Sequence, residues 1–171
     1  MIDKSAEMLC GPACINYILH LEKRNNKVIN TLTWCCDLAC ALKEMNFNVD
    51  VRCFNSKLYN DSQKFSDSKF DGFTSINRYL KKKPIKELEL TVEDLKQEIK
   101  HSKYLICNVS SKLFNNDNNM TGGHYILVLG ENLNFVKIIN PRKTVYEQTE
   151  ITLQKLIDCM KDFGSWRILI N

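Results

Sequence analysis

The hydrophobic pattern of this chain changes from a helical period to a strand period along its length. Apolar side chains recur at helical spacing after Pro12, whereas short alternating or continuous apolar runs dominate after residue 104. No strand–helix–strand unit repeats in the sequence. The layout therefore predicts an α+β fold in which N-terminal helices pack on a C-terminal antiparallel sheet.

Capping residues and apolar runs give approximate bounds for the predicted elements. Pro12 fits the first turn of a helix, which places Cys10 at or just before the helix N-terminus. Thr33 is the expected N-cap of a second helix, and Thr91 with Asp94 begins a third. The predicted helices cover residues 13–21, 33–45, 91–100 and 153–163, the predicted strands cover residues 47–54, 104–109, 124–129, 135–139, 145–146 and 166–170, and the predicted loops cover residues 55–72 and 114–121.

The size and composition of the chain are those of one domain spanning residues 1–171. Hydrophobic residues make up 44% of the sequence and charged residues 26%, which is ordinary for a globular protein. No apolar run approaches the roughly 18 residues of a membrane span, and the start lacks the pattern of a signal peptide, so we expect a cytoplasmic protein. The net charge of +4 is mild, and Lys81–Lys83 is typical of a solvated turn. We therefore expect neither nucleic acid nor a membrane as a partner.

The eight cysteines are expected to be reduced thiols, because the chain is long and carries no export signal. Cys35, Cys36 and Cys40 fit small buried apolar positions. Cys36 and Cys40 lie one helical turn apart, so a metal-binding module stays open as an alternative, although no CxxC pair accompanies them. We expect no metal and no cofactor. A nucleotide cyclase is disfavoured because no Gly-rich phosphate loop occurs.

Cys10 is the first of three residues whose order is typical of thiol catalysis. A cysteine attacks as its thiolate, and the positive end of a helix dipole or a nearby imidazolium lowers the thiol pKa. Cys10 stands where such a helix begins, so we expect its pKa to be lowered and its alkylation to be faster than that of Cys14. Two core cysteines one turn apart are the alternative interpretation, which we favour for Cys14.

His124 and Asn140 supply an imidazole and an orienting amide sixteen positions apart. His124 follows Gly122–Gly123, and glycines permit close approach of another backbone or of a substrate. If the strands at 124–129 and 135–139 pair as a hairpin, Asn140 lies beside His124, and its amide oxygen can accept the imidazole N–H. The alternatives are a satisfied or surface histidine and an ordinary Asn-Pro turn.

These motifs resemble the papain-like cysteine peptidase superfamily. The resemblance is carried by Cys10-Gly11-Pro12-Ala13-Cys14, Gly123-His124-Tyr125 and Asn140-Pro141, and it is nearest to the bacteriocin-leader peptidases and their stand-alone relatives. Thr33-Trp34 and Asp37-Leu38-Ala39 resemble a segment of the guanylyl-cyclase-like family, which shares that fold. The resemblance spans most of the chain in order. It implies a papain-like fold with Cys10 as nucleophile, His124 as general acid and base, and Asn140 as the orienting residue.

The resemblance has two departures at the site residues. Most of the leader-peptidase branch has Asp at the third position, so Asn140 is nearer to the papain pattern. These families usually place Gln six residues before the cysteine as an oxyanion donor, whereas Lys4 stands there in this chain. A lysine ammonium can donate but is not a planar amide, so the backbone N–H of Cys10 is the other expected donor. Losing one oxyanion donor typically costs ~100- to 1000-fold in rate.

The sequence predicts an acyl-transfer enzyme that forms an acyl-thioester on Cys10 from a peptide or carrier-bound acyl substrate. If water resolves the thioester, the enzyme is a narrow-specificity peptidase or amidase of the leader-peptidase type. If an amine acceptor resolves it, the enzyme is a biosynthetic amide synthase. A catalytically inactive papain-like binding domain is the non-enzyme alternative. The loop at Asn115–Asn119 is the expected mobile cover of the substrate site, and the polar segment 55–72 is its expected other wall.

Overall fold

The computed structural model of this chain describes residues 9–25, 34–54, 77–81, 83–120, 122–132, 134–142 and 145–171. Its helices are α1 (Cys10–Leu21), α2 (Cys35–Glu44), α3 (Val92–His101), α4 (Ser111–Asn115) and α5 (Leu153–Lys161), with a further helical turn at residues 77–80. Its strands are β1 (Val49–Cys53), β2 (Lys86–Glu87), β3 (Tyr104–Ser110), β4 (Gly123–Asn132), β5 (Phe135–Arg142), β6 (Val145–Thr152) and β7 (Arg167–Ile170). The predicted α+β class is confirmed.

The strands form one sheet in the order β2-β1-β7-β3-β4-β5-β6. Neighbouring strands are antiparallel except β1 and β2, which pair in parallel. Alternation of side chains along the strands gives the sheet two apolar faces. Ile106 and its same-face neighbours pack with α1 and α2, whereas Leu105 and Cys107 pack with α3 and α5.

The sheet differs from the predicted one in three respects. Helices cover both of its faces, since α3 and α5 pack opposite α1 and α2. Two strands of the sheet, β1 and β2, come before α3 in the chain, and their parallel pairing makes the sheet mixed. The closing strand β7 lies in the middle, between β1 and β3. A purely C-terminal antiparallel sheet was therefore a wrong expectation, because the pattern of one strand does not reveal its neighbours.

The capping residues predicted for the helices agree with the structure at one helix and differ at another. Thr91 accepts from the Asp94 amide at 3.1 Å and its own amide donates to the Asp94 carboxylate at 3.1 Å, which is the predicted capping box of α3. Thr33 was expected to cap α2, but the residue at the N-cap is Trp34, and Thr33 lies outside the described residues. Phe114 was expected in a loop and instead belongs to α4, which begins at a Ser110 cap.

No helix within the described ranges combines the length and the apolar character needed to cross a membrane.

Candidate active site

The N-terminus of α1 carries Cys10 as its first helical residue. The backbone bonding of α1 begins with the Ala13 amide donating to the Leu9 carbonyl at 3.0 Å. The amides of Cys10 and Gly11 therefore have no acceptor within the helix, and Pro12 has no N–H to satisfy. These two amides are the donors that a helix N-terminus offers to a negative charge.

Gly11 lets this end of α1 pack closely against two other elements. A Cβ at Gly11 would lie 2.8 Å from Leu38 Cδ1 of α2 and 3.2 Å from Tyr125 Cδ2 of β4. Those distances are shorter than ordinary carbon contacts. The glycine of the Cys10-Gly11-Pro12 motif is therefore a packing requirement that seats the start of α1 on β4.

The thiol of Cys10 lies where β4 and β5 stop pairing. The register of these strands runs from the hairpin turn only as far as Leu127 opposite Ile139, although β4 begins at Gly123 and β5 continues to Arg142. At this end the Tyr125 amide donates to Cys10 Sγ at 3.3 Å. A backbone contact to the strand thus fixes the sulfur, and no feature of the sequence pointed to Tyr125 as its partner.

His124 and Asn140 are directly hydrogen-bonded to each other. His124 Nε2 donates to Asn140 Oδ1 at 2.7 Å. Asn140 is buried, with only 2% of its surface exposed. Because Nε2 carries the proton in this bond, Nδ1 is the basic nitrogen of the neutral ring. The predicted hairpin is formed by β4, which carries His124, and β5, which carries Asn140.

The Cys10 thiol contacts the backbone of β4 immediately after His124. The amide that binds Cys10 Sγ is the peptide bond joining His124 to Tyr125. The ring of Phe114, on α4, lies 6.1 Å from the His124 ring, centroid to centroid. Phe114 is a neighbour that the sequence interpretation missed, although the Ser110 cap just before it was a signal for a short helix.

Burial raises the pKa of the Cys10 thiol above its ordinary value. The amides of Tyr125, Gly11 and Cys10 itself lower it, but their combined effect is smaller than that of desolvation. The expected lowering of this pKa was therefore wrong in direction, because the sequence shows the helix start but not the burial. Burial raises the pKa of Cys14 more strongly, since Cys14 is completely enclosed.

Other predicted site residues fall into two groups. Lys4 and segment 55–72 lie outside the described residues. The segment at Asn115–Asn119 is described and makes several hydrogen bonds: the Asn119 amide donates to Asp117 Oδ1 at 2.9 Å, and Lys155 Nζ of α5 donates to Asn116 Oδ1 at 2.9 Å. These bonds fasten the segment to itself and to α5, beside the helix that contacts His124.

The two glycines before His124 have different surroundings. Gly122 has a φ of +86°, which glycine adopts without strain, and no atom lies within 4 Å of the position its Cβ would take. A Cβ at Gly123 would lie 2.6 Å from Asn108 Oδ1 and 3.2 Å from the Phe163 ring. The Cβ position of Gly122 is thus unobstructed, whereas Gly123 is closely packed by the Asn108 and Phe163 side chains.

Gly123→Ala should destabilise the fold, because the new methyl group overlaps Oδ1 of the Asn108 side chain. Overpacking of this kind typically costs about 1–3 kcal/mol in the free energy of unfolding. Gly130→Ala is the matched control on the same strand, since no atom lies within 4 Å of its Cβ position. Urea unfolding of both variants checks the expectation, and equal midpoints would contradict the close contact at Gly123.

The remaining cysteines lie in the core. All eight cysteines are free thiols, and every one except Cys10 is buried. Cys36 and Cys40 are at most 1% exposed, as expected of small apolar residues. Within the described ranges, no group of three or more His, Cys, Asp or Glu side chains is placed to hold a metal ion.

A scan against protein-family models found no match, and a search of curated proteins found no significant similarity.

Proposed function

We propose that this chain is a papain-like acyl-transfer enzyme that forms or cleaves an amide bond through an acyl-thioester on Cys10. The observation that carries the proposal is the pair of His124 and Asn140, joined at 2.7 Å, on the peptide whose amide binds the Cys10 thiol. A nucleophile, a base and a group that orients the base are the parts required by nucleophilic catalysis. Cys10, His124 and Asn140 would fill these roles.

The first half-reaction transfers the acyl group to sulfur. Because partial burial raises the pKa of the Cys10 thiol, the thiol carries its proton at rest, and His124 Nδ1 would remove that proton as the sulfur attacks the acyl carbonyl carbon. The carbonyl oxygen becomes an oxyanion, and the Cys10 and Gly11 amides, which have no acceptor within α1, would be its hydrogen-bond donors. Collapse of the tetrahedral intermediate breaks the bond to the leaving group, which takes the proton from the imidazolium.

The second half-reaction reverses these roles. His124 removes a proton from water or from an amine as that nucleophile attacks the thioester carbon. The carbon–sulfur bond then breaks, and the imidazolium returns its proton to Cys10. In this proposal the Asn140 amide oxygen keeps the bond from Nε2–H throughout, which leaves Nδ1 as the nitrogen that exchanges protons with the reacting groups. Asn140 is neutral and therefore orients the imidazolium without neutralising its charge.

The resting site has a consequence for how the enzyme is detected. Cys10 is the partly buried cysteine, whereas the other seven are buried, so exposure alone favours its alkylation. Preferential labelling of Cys10 therefore does not separate an enzyme from an inactive domain.

The informative quantity is how far the rate of Cys10 alkylation at neutral pH depends on His124. We expect His124→Ala to lower the iodoacetamide rate at pH 7 while leaving the rate at pH 10 nearly unchanged. An unchanged rate at both pH values would favour the inactive binding domain.

Product analysis distinguishes amide formation from hydrolysis. An acyl N-acetylcysteamine thioester, which resembles a carrier-bound donor, is incubated with the enzyme with and without a primary amine. An amide synthase should convert the donor to amide with little free acid, because an oriented amine can reach an effective molarity of ~10⁵ M or more. Cys10→Ala is the control for uncatalysed aminolysis. Free acid as the main product at saturating amine would identify a hydrolase instead.

A further inference from the structure

Two hydrogen bonds, one from β4 and one from β6, contact the first turn of α1. On the β4 side, the Tyr125 amide donates to Cys10 Sγ at 3.3 Å. From β6, the next strand beyond β5, the Tyr146 hydroxyl donates to the Ala13 carbonyl at 3.2 Å. Ala13 is three residues from the nucleophile, within the same helical turn. Two hydrogen bonds from different strands therefore fix the position and the rotation of this turn.

Tyr146 also stands next to the residues that carry the orienting amide. It lies opposite Pro141 in the β5–β6 register, and the adjacent pair in that register is Asn140 with Glu147. Its ring packs on Tyr17 of α1 at 5.0 Å between centroids, one helical turn beyond Ala13. Tyr146 thus connects the nucleophile's helix to the hairpin that holds Asn140.

The hydroxyl of Tyr146 is a donor over the whole neutral range. Burial raises the pKa of this phenol to about 12. It therefore stays protonated wherever the proposed reaction would run, and its contact with the Ala13 carbonyl does not depend on pH in that range.

We propose that Tyr146 is a positioning residue that keeps Cys10 aligned with the His124–Asn140 pair by holding the first turn of α1. This inference rests on the proposed function. Displacement of a reacting group by about 1 Å can cost on the order of 100-fold in rate, so a single hydrogen bond at this turn has a large effect on reactivity. The Tyr146 ring packs against the apolar core, so removing only its hydroxyl group, as in Tyr146→Phe, leaves that packing in place.

Tyr146→Phe tests the proposal, with Tyr104→Phe as the matched control. Tyr104 also donates a hydroxyl to the α1 segment, but at the other end, where its partner is the Glu22 carboxylate. Each change removes one partly buried hydroxyl that docks α1 on the sheet, and only one of them is near Cys10. Thermal unfolding of both variants measures their structural cost, which we expect to be comparable.

The decisive readout is the rate of Cys10 alkylation by iodoacetamide at pH 7 divided by the rate at pH 10. General loosening of the helix raises both rates together, whereas misalignment lowers only the His124-dependent rate at pH 7. We expect Tyr146→Phe to lower this ratio by about 10- to 100-fold and Tyr104→Phe to leave it unchanged. With an acyl N-acetylcysteamine thioester as substrate, the loss should fall on kcat rather than on KM.

Two other results have separate meanings. If Tyr146→Phe gives the same ratio as Tyr104→Phe while His124→Ala lowers it, the positioning role is overturned and the proposed enzyme stands. If His124→Ala leaves the ratio at the wild-type value, Cys10 and His124 do not act together, and both the proposed function and this inference are overturned.

Discussion

Removing the imidazole of His124 is expected to have the largest effect on acyl transfer of any single change outside Cys10. General acid–base catalysis by a positioned side chain contributes typically about 10²–10⁴-fold, and His124→Ala removes the group that would both accept and return the proton. Asn140→Ala keeps the imidazole but removes the partner of its Nε2 at 2.7 Å, so the ring can rotate. We expect a loss of no more than about 100-fold for that variant, which is an effect of misplacement.

The measurement is the rate at which mass spectrometry detects acylated Cys10 after mixing with an acyl thioester. His20→Ala is the control, since His20 is an exposed histidine on α1 that lies well along the helix from Cys10. It should acylate at the wild-type rate. A loss for Asn140→Ala as great as that for His124→Ala would mean that the amide does more than orient the ring.

The largest effect on stability is expected at a buried ion pair remote from the thiol. Arg167 of β7 is fully buried, and its Nε and Nη2 both donate to the Glu98 carboxylate of α3, the latter at 2.8 Å. Arg52 Nη1 donates to the same carboxylate at 2.9 Å. Glu98→Gln removes the negative charge and leaves Arg167 as an uncompensated charge in the interior. Breaking such a pair costs about 3–5 kcal/mol in the free energy of unfolding.

The ion pair of Glu44 and Arg78 offers a control of the same chemistry at the surface. Their side chains are 56% and 53% exposed and meet at 3.2 Å. Glu44→Gln should change the free energy of unfolding by roughly 0–1 kcal/mol, because solvent screens exposed charges. Urea denaturation of both variants gives the comparison. Equal midpoints would show that the interior tolerates the unpaired guanidinium.

Cys10, His124 and Asn140 could be chosen from the sequence because each stands next to a recognisable helix start or strand. Cys10 stands at the start of a helix whose first turn accommodates Pro12, and His124 and Asn140 lie on two strands with hairpin spacing. Strand alternation and a capping box are short-range signals, so α1, α3, β4 and β5 were predicted close to their observed bounds. These signals require knowledge of only a few neighbouring residues.

Long-range features left no such signal. The Tyr125 amide that binds Cys10 is a backbone group, which every residue except proline possesses. The Tyr146 contact with Ala13 joins residues that are 133 positions apart in the sequence, although the sequence did indicate a strand at Tyr146. The raised pKa of Cys10 follows from its packing against the apolar core, which removes water from the thiol. Each of these features depends on distant parts of the chain meeting, which periodicity does not report.

The central place of β7 has a consequence for how the protein assembles. β7 pairs with β1 from Val49 to Arg52 on one side and with β3 from Tyr104 to Cys107 on the other. Until β7 is available, β1 and β3 both present open strand edges, which are prone to pair with other chains. Contacts between segments so distant in sequence also form slowly, because their loops close at a high entropic cost. During synthesis, the edges of β1 and β3 that face β7 therefore stay open until β7 has left the ribosome, and this interval is when the nascent chain is most exposed to aggregation.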